Sequence, residues 1–421
     1  MTPEPQHAPT EPAQAAPPLL RQRGSNHVGM RQFNERVVLQ AIRQNGSLPK
    51  ADIARLTGLT AQTIGLITTR LEDDGLLVRQ DRVRGRIGQP SVPLALNPDG
   101  AFSIGIKIGR RSTDWLLVDF TGRVRARRTL AYAFPDSKTL LPALAEHMNA
   151  LCQSLQSGVG DLPDLRDRLV GVGVAAPFQM GGWHKILGLS GTQARSWNNM
   201  DLRAEVQAMT DLPVSLAKDT SAACVAELVA GHGRDLKSFL YLFVDTFVGG
   251  GLVINSHLHG GVHGNAGAVA SVPLAVAHST AKLPEQLLSQ ASLWELEQRL
   301  RACGLDPTAA YDERAIAAPF EAETQAWIAH AAPALAHCVV SGTAFLDLDA
   351  VVVDGSFCRP LLQRLIKAVR AALPAYSWEG LWPATLVEGS IGSDARALGG
   401  ALLPLHANFA PDRDLFLKAS V

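Results

Sequence analysis

Residues Leu216–Ala223 read LAKDTSAA, and they mark the point where a short apolar strand passes into a helix. The pattern predicts a strand over Val214–Ala217 and a helix over Thr220–Gly231, joined at Asp219. A strand that leads directly into a helix is a repeating unit of α/β folds. Two roles are open to the carboxylate at the junction: Asp219 accepts a hydrogen bond from a ligand hydroxyl, or it is a helix N-cap or first-turn carboxylate.

Strands and helices continue to alternate on both sides of this junction over residues 98–421. Phe102–Ile108, Trp115–Asp119 and Val124–Ala133 are predicted as consecutive strands, followed by a helix over about 136–155. The same order recurs along the chain, which predicts two α/β lobes with a cleft between them. The other predicted strands are Leu169–Ala175, Phe239–Asp245, Gly251–Asn255 and Ala350–Asp354, and the other predicted helices are Leu283–Cys303, Phe320–Phe345, Pro360–Leu373 and Ser393–Leu403.

Residues 27–97 have the pattern of a winged helix-turn-helix. Apolar residues at helical spacing predict a first helix that ends at Asn45 and a short second helix that ends at Gly58. Thr60 then caps a third helix, Ala61–Asp74, in the position of a recognition helix. Two short strands, 76–78 and 92–96, flank an arginine-rich wing. The alternative is a solvated basic hairpin on an ordinary helical bundle.

This module is expected to bind DNA through its third helix and its wing. The predicted contacts are Gln62, Thr63, Thr68 and Arg70 on the outward face of the helix, and Arg82, Arg84 and Arg86 in the wing.

Charge is distributed unevenly along the 421 residues, although 39 Lys and Arg balance 39 Asp and Glu overall. Residues 19–96 hold 12 basic and 6 acidic side chains, a net of +6, so one basic module precedes a mildly acidic body. Residues 1–26 are rich in Pro, Ala and Gln and are predicted to be a disordered tail. The five cysteines are scattered, and no signal peptide or apolar run of 18 residues is present, so a cytoplasmic protein without membrane contact is expected.

Five stretches together resemble the ROK family of repressors, open-reading-frame proteins and sugar kinases, in its form with a fused winged helix-turn-helix. The resemblance implies an actin-like, sugar-kinase-type fold that binds its ligand in the cleft between the lobes. The stretches are Trp197–Leu202 (WNNMDL), Leu216–Ala223, Asp245–Gly251 (DTFVGGG), Gly264–Gly267 (GNAG) and Gly389–Ala395 (GSIGSDA).

The chain departs from the family's kinases at the loops that hold nucleotide. Their first strand ends Asp-x-Gly-Gly-Thr, whereas this strand ends with Lys107, Gly109, Arg110 and Arg111. A lysine ammonium cannot coordinate magnesium. Asp354 in the second loop would add like charge beside phosphate. The resemblance therefore implies a binding protein without kinase activity and without a cofactor.

Metal binding is also not expected. Ala268 and Ser271 replace the family's sugar-binding Glu and its zinc-binding His, and no cysteine lies between Cys224 and Cys303. A second source of metal ligands, His257, His259 and His263, is more typical of surface histidines in a turn.

The cleft is still expected to bind a hydroxylated ligand. Trp183, His184 and Trp197 are candidates for stacking on a sugar face, or they belong to the core. An anionic ligand held by Lys107, Arg110, Arg111 and Lys218 is a further alternative, set against the interpretation that Arg110 and Arg111 are exposed to solvent. The predicted ligand-binding residues are Asp219, Lys218, Asn265, Asn198, Asn199 and Thr246.

These patterns lead to one functional hypothesis: a transcriptional regulator, a repressor, that binds operator DNA and senses a carbohydrate-related small molecule. A homodimer or homotetramer is expected, because two-fold partners read paired half-sites. The alternatives are an active sugar kinase with a fused DNA-binding domain and a regulator controlled by docking of a transporter or signalling protein.

Overall fold

The computed structural model describes residues 26–81, 92–155, 164–180, 197, 200–276 and 283–411. The prediction of a disordered tail falls outside these ranges apart from Asn26, which begins the first helix. Also outside them are the predicted site residues Arg82, Arg84, Arg86, Asn198, Asn199, Trp183 and His184.

The N-terminal module is a three-helix winged helix-turn-helix, as the sequence predicts. Gly58 has a φ of 71°, a left-handed conformation that suits glycine, and it turns the chain from the second helix into the third. The Thr60 side chain then accepts a hydrogen bond from the Thr63 amide and caps the third helix. The elements are α1 (Asn26–Asn45), α2 (Lys50–Thr57) and α3 (Ala61–Asp73), with β1 (Ser47–Leu48), β2 (Leu77–Arg79) and β3 (Leu94–Leu96) paired in the order β1-β3-β2.

The first lobe is built on a mixed five-stranded sheet in the order β6-β5-β4-β7-β8. Strands β4, β5 and β6 form an antiparallel meander, and β4, β7 and β8 are parallel. Leu144 and Met148 of the following helix share a core with Ile104 and Ile106 of β4. The elements are β4 (Phe102–Ile108), β5 (Ser112–Asp119), β6 (Val124–Ala131), α4 (Ser137–Ser154), β7 (Leu169–Ala176), α5 (Leu202–Gln207) and β8 (Val214–Lys218).

The second lobe repeats this plan with the sheet order β11-β10-β9-β12-β13. The segment Leu283–Cys303, predicted to be mostly helical, forms two helices: the first begins at Leu287, and the two are separated at Ser292, whose backbone is extended. Ser292 uses its hydroxyl to accept from Val248 N and its carbonyl to accept from Trp327 Nε1, so packing overrides the local helical pattern. The elements are α6 (Asp219–Ala230), β9 (Phe239–Val244), β10 (Gly249–Ile254), β11 (His257–Leu258), α7 (Leu287–Ala291), α8 (Leu293–Ala302), α9 (Glu321–Leu346), β12 (Ala350–Gly355), α10 (Arg359–Ala372), β13 (Thr385–Glu388) and α11 (Ala395–Phe409).

Helices α6 and α11 share one core with β5 of the first sheet and with β9 and β12 of the second. Their backbones touch, since a methyl group at Gly399 would overlap the carbonyl oxygen of Ala222. On the neighbouring face, a methyl group at Gly173 would overlap the carbonyl oxygen of Gly400. Helix α11 is therefore held in place by backbone contacts with α6 and with β7.

The C-terminal end of α11 reaches the DNA-binding module. The Phe409 ring lies 4.7 Å from the Phe120 ring. The Arg43 guanidinium lies 5.1 Å from the centre of the same Phe120 ring and donates to the Phe120 carbonyl at 2.9 Å. Arg36 donates to the Ala410 carbonyl at 3.3 Å. Burial lowers the pKa of Arg43 to about 10. These contacts join α1 to the body through half-buried arginines and aromatic rings.

One described helix, α9, is long and apolar enough to cross a membrane by length and composition alone. Half of its most apolar window is buried inside the protein. Its residues Trp327, Ala331 and Leu335 belong to the core of the second lobe, which accounts for that composition.

Candidate functional site

The outward face of α3 is the candidate DNA-reading surface. Gln62 and Arg70 are exposed on it and Thr63 is half-buried, as the sequence predicts for a recognition helix. The prediction that Thr68 faces outward is wrong: its side chain is fully buried and donates to the Ile64 carbonyl at 2.7 Å. Thr68 lies four residues after Ile64, so a helix places both on the inner face.

Two other residues of α3, which were not predicted as DNA contacts, lie on its outward face. Leu66 is 70% exposed, and Thr69 is exposed beside it. Leu66 lies four residues after Gln62, so helical spacing alone could have identified it. Arg70 lies 3.6 Å from Glu35 of α1, which orients its guanidinium.

A cleft of about 850 Å³ opens at the C-terminal ends of β7 and β8. Its walls come from four separate segments, so the fold assembles it from distant parts of the chain. The lining residues are Ala176, Pro177, Phe178, Gln179, Met180, Trp197, Met200, Asp201, Leu202, Leu216, Ala217, Lys218, His263 and Gly264.

Lys218 and Asn265, two of the predicted ligand-binding residues, lie together at this cleft. Lys218 Nζ donates to Asn265 Oδ1 at 3.3 Å and to the Ala266 carbonyl at 2.9 Å. Burial lowers the pKa of Lys218 to about 8, and the nearby Asp219 carboxylate offsets part of that effect. The amine therefore loses its proton within an experimentally accessible pH range.

Asp219 occupies the first turn of α6 and has two partners. Its Oδ1 accepts from the Thr220 amide at 2.8 Å, and its Oδ2 lies 3.7 Å from Arg396 Nη1. This geometry is that of a first-turn carboxylate, one of the roles left open for Asp219, and the side chain does not make the N-cap hydrogen bond. Its role toward a ligand stays a prediction.

Arg396, in the first turn of α11, holds two acidic residues of the body together. It forms an ion pair with Asp245, lies near Asp219, and donates to Ser356 Oγ at 3.2 Å. Burial by itself raises the pKa of Asp245, but the attraction of Arg396 and Lys107 outweighs it and holds that pKa below its usual value. Arg396 was not among the predicted site residues. The sequence signal that could have identified it is its position directly after the stretch Gly389–Ala395.

The loop between β4 and β5 is occupied by its own cationic side chains. Lys107 Nζ donates to Asp114 Oδ2 at 3.0 Å and to Ser112 Oγ at 2.8 Å. Burial lowers the pKa of Lys107, and Asp114 opposes that effect. The Asp114 carboxylate therefore neutralises the Lys107 ammonium at the end of β4.

The interpretation that Arg110 and Arg111 are exposed to solvent holds only in part, because both residues are half-buried and the Arg111 side chain is 40% exposed. Arg111 donates to Glu297 Oε2 at 2.7 Å, and the Arg110 guanidinium lies 5.0 Å from the Phe247 ring centre. The partners are remote in sequence, so the local pattern could not reveal them.

Thr246 and Asp354, which follow or end strands of the second sheet, are not among the described residues that line the cleft, and both have partners within the fold. Thr246 Oγ1 shares a hydrogen bond of 2.9 Å with Tyr311 Oη. Asp354 was expected to present a charge beside phosphate, but it is fully buried. It accepts from Gly392 N at 2.7 Å and from Arg359 Nη1 at 2.9 Å. Arg359 neutralises the buried charge of Asp354, so this carboxylate has a structural role.

The aromatic and histidine candidates divide between core and surface. Trp197 is buried and donates from Nε1 to the Pro135 carbonyl at 2.9 Å, as the core alternative requires, although it also lines the cleft. His257 contacts the carbonyls of Asn255 and Pro411. In the described part of the chain, no group of three His, Cys, Asp or Glu side chains could hold a metal ion.

The ROK family profile matches residues 103–407, which includes both lobes. The chain belongs to the ROK family. A winged helix-turn-helix DNA-binding profile matches residues 34–78, the region of α1, α2 and α3. In this ROK protein the two matches together cover the module and the body described above.

Curated relatives of this ROK protein include proteins named as repressors and transcriptional regulators. It is 24% identical over 248 residues to the xylose repressor of Bacillus subtilis, which covers 58% of this chain and 61% of the repressor. The match thus spans about three fifths of that relative's length. It is also 24% identical over 382 residues to the uncharacterized protein y4fQ of Sinorhizobium fredii, covering 90% of this chain and 92% of the other.

Solved structures agree with the fold. A ROK family transcriptional regulator described as a homologue of the E. coli MLC protein has a TM-score of 0.65 at 20% identity, covering 90% of this chain and 98% of that one. A ROK glucokinase from Streptomyces griseus, in complex with glucose and AMPPNP, has a TM-score of 0.56 at 18% identity, covering 72% and 99%. At these identities the likeness establishes the fold alone.

We expect Arg396→Met to lower the free energy of unfolding by about 3–5 kcal/mol, because it leaves the Asp245 carboxylate buried without its cation. Asp245→Asn in the same background removes that charge and is expected to restore about 1–2 kcal/mol. Urea unfolding of the two variants and the wild type measures both effects. A double variant no more stable than Arg396→Met would show that the ion pair does not carry this stability.

Proposed function

We propose that this ROK protein is a transcriptional regulator, most simply a repressor, that binds operator DNA and senses a carbohydrate-related small molecule in its cleft. The observation that carries the proposal is the combination of an uncovered recognition helix with a kinase-type body whose first loop is filled by Lys107, Arg110 and Arg111. Such a body retains a ligand cleft but has little room for nucleotide phosphate. A regulator of this kind acts on DNA in the cytoplasm.

DNA recognition is assigned to the outward face of α3. Gln62, Leu66 and Thr69 are exposed there, and a glutamine can pair with adenine in the major groove. Arg82, Arg84 and Arg86 of the wing remain the proposed phosphate contacts. A homodimer or homotetramer supplies the two-fold symmetry that reads a pseudopalindromic operator.

Ligand recognition is assigned to the cleft beside β7 and β8. The proposed contacts are Lys218, Asn265, Asp219, Thr246, Asn198 and Asn199. The names of the xylose repressors among its relatives support a carbohydrate-related ligand for this chain.

Helix α11 is the proposed route from the cleft to the DNA-binding module. Its first turn carries Arg396, which is tied to Asp219 and Asp245, and its last residue, Phe409, packs on Phe120 beside Arg43. Since the backbone of α11 touches α6 and β7, a shift at one end is transmitted to the other. A ligand that changes the Arg396 contacts would thereby alter the position of α1.

Two other functions remain as alternatives. An active sugar kinase with a fused DNA-binding domain would require magnesium nucleotide to displace the Arg111–Glu297 and Lys107–Asp114 ion pairs. A body that docks a transporter or signalling protein would respond to that protein and to no small molecule. Ligand-induced thermal shifts separate the last case, because a bound small molecule stabilises the native state by mass action.

Gln62→Ala is expected to weaken specific DNA binding by about 10- to 100-fold, since a good bidentate base contact is worth about 1–3 kcal/mol. Binding to unrelated DNA should hardly change. The measurement is fluorescence anisotropy on a duplex selected from a random library by the wild-type protein. Gln153→Ala, the same change at an exposed position of α4, is the control. Equal affinity of the wild type and Gln62→Ala for the selected duplex would remove α3 from the DNA interface.

Magnesium-ATP is expected neither to bind at micromolar concentration nor to be consumed, because Lys107, which is paired with Asp114, cannot coordinate magnesium and Asp354 is committed to Arg359. A coupled ADP-release assay over a panel of sugars measures turnover, and isothermal titration measures binding. Sugar-dependent ADP release by the wild type, lost in Asp219→Asn, would establish the kinase alternative.

A further inference from the structure

The Lys218 ammonium is a half-buried cation on the wall of the 850 Å³ cleft, and its hydrogen bonds to described residues go to uncharged groups. It donates to two neutral oxygens, Asn265 Oδ1 and the Ala266 carbonyl. An ammonium has three N–H groups, so one donor remains. Among the described residues, no carboxylate oxygen lies within 4.0 Å of Nζ.

None of the other described titratable groups around Lys218 forms an ion pair with it, although the neighbouring Asp219 charge attracts it. Asp219 follows it in the chain, but its oxygens face the Thr220 amide and Arg396. Cys224 of α6 is buried, which raises the pKa of its thiol and keeps it uncharged at neutral pH. On the cleft wall, Asp201 caps α5 through the Ala204 amide, and His263 is exposed.

A second cation lies behind the same wall. Arg110 Nη2 donates to the carbonyl of Gln179, a lining residue of the cleft, at 3.4 Å. Its Nε is buried and has no hydrogen-bond partner among the described residues. A buried donor without a partner is unfavourable, and the Arg110 guanidinium adds positive charge behind this end of the cleft.

The rest of the cleft is apolar. Phe178 is 50% exposed and Leu216 is 45% exposed, and Met200 lies beside them on the wall. Large apolar side chains are seldom left exposed in a concave site, and they suit the C–H face of a sugar ring.

We propose that the cleft binds an anionic, hydroxylated ligand, a carbohydrate derivative that carries a carboxylate or a phosphate, and that Lys218 holds the anionic group. The inference rests on the proposed sensing function of the cleft and adds the chemical class of its ligand. The anion supplies the counter-charge that Lys218 lacks within the protein, and the apolar wall contacts the ring.

The test compares acids with their neutral counterparts on the full-length wild-type protein. The probes are glucuronate, galacturonate, gluconate and glucose 6-phosphate, set against glucose, galactose and xylose, by thermal shift and isothermal titration at pH 7. At least one acid is expected to bind about 10- to 100-fold more tightly than its neutral counterpart, the range of a charge-assisted hydrogen bond. The carboxylate and phosphate probes distinguish the two sources of anion.

The pH dependence assigns the effect to Lys218. Its amine is protonated below about pH 8 and neutral above it, so affinity for a carboxylate should be high at pH 7 and fall by up to about tenfold per pH unit above 8. Lys218→Met should lose the acid preference and this pH dependence, and Lys218→Arg should retain the preference. Lys138→Met, at an exposed position of α4, is the matched control.

The outcomes separate this inference from the proposed function. Neutral sugars that bind as tightly as the acids, or no response to any acid, would overturn it, and so would an acid preference that survives in Lys218→Met. Binding of the wild type to its selected duplex reports on the regulator function independently. Acid binding without DNA binding would support the anion site and contradict the regulator.

Discussion

The ion pairs of Arg396 with Asp245 and Asp219 are the interaction on which the arrangement of this protein depends. Asp245 follows β9 of the second lobe, Asp219 begins α6 after the first sheet, and Arg396 begins α11. A single guanidinium thus fixes three elements at the point where the lobes meet. Because a buried charge without a partner costs several kcal/mol, any change at one carboxylate acts on the arginine and its helix.

Helix α11 extends from the Arg396 ion pairs to the DNA-binding module. Its 15 residues span about 22 Å, and its glycines bring its backbone against α6 and β7. Methyl groups at Gly399 or Gly173 would overlap neighbouring carbonyls, so this part of the helix has no room to move toward α6 or β7. At the far end, beyond Pro404, Arg43 and Phe409 meet on Phe120. The Arg396 ion pairs and the DNA-binding module therefore lie at opposite ends of one helix, and any coupling is limited by the difference in ligand contacts between two positions of that helix.

The sequence was sufficient for the order of the elements because hydrophobic periodicity is a local property. The strand into α6, the meander of the first lobe and the turn at Gly58 all follow from residues within a few positions of each other. Thr68 was misplaced, although its spacing from Ile64 already put it on the buried face.

The charged residues of the cleft could not be placed in the same way. Arg111 meets Glu297, and Arg396 meets Asp219 and Asp245, across intervals of more than a hundred residues. Such pairs depend on how the two lobes pack, which no local pattern encodes. The first-turn position of Asp219, whose carboxylate accepts from the Thr220 amide, is local, and a first-turn carboxylate was among the alternatives that the sequence left open.

The most direct test of the coupling is a double-mutant cycle in operator affinity that needs no knowledge of the ligand. The Asp245→Asn/Arg396→Met variant perturbs the cleft end of α11, and Arg43→Met perturbs the far end. Measured on the selected duplex, the cleft variant should change operator affinity about 5-fold or more in the wild-type background and much less in the Arg43→Met background, since coupled sites typically interact by about 1–3 kcal/mol. An unchanged affinity, or the same change in both backgrounds, would show that α11 does not connect the cleft to the DNA-binding module.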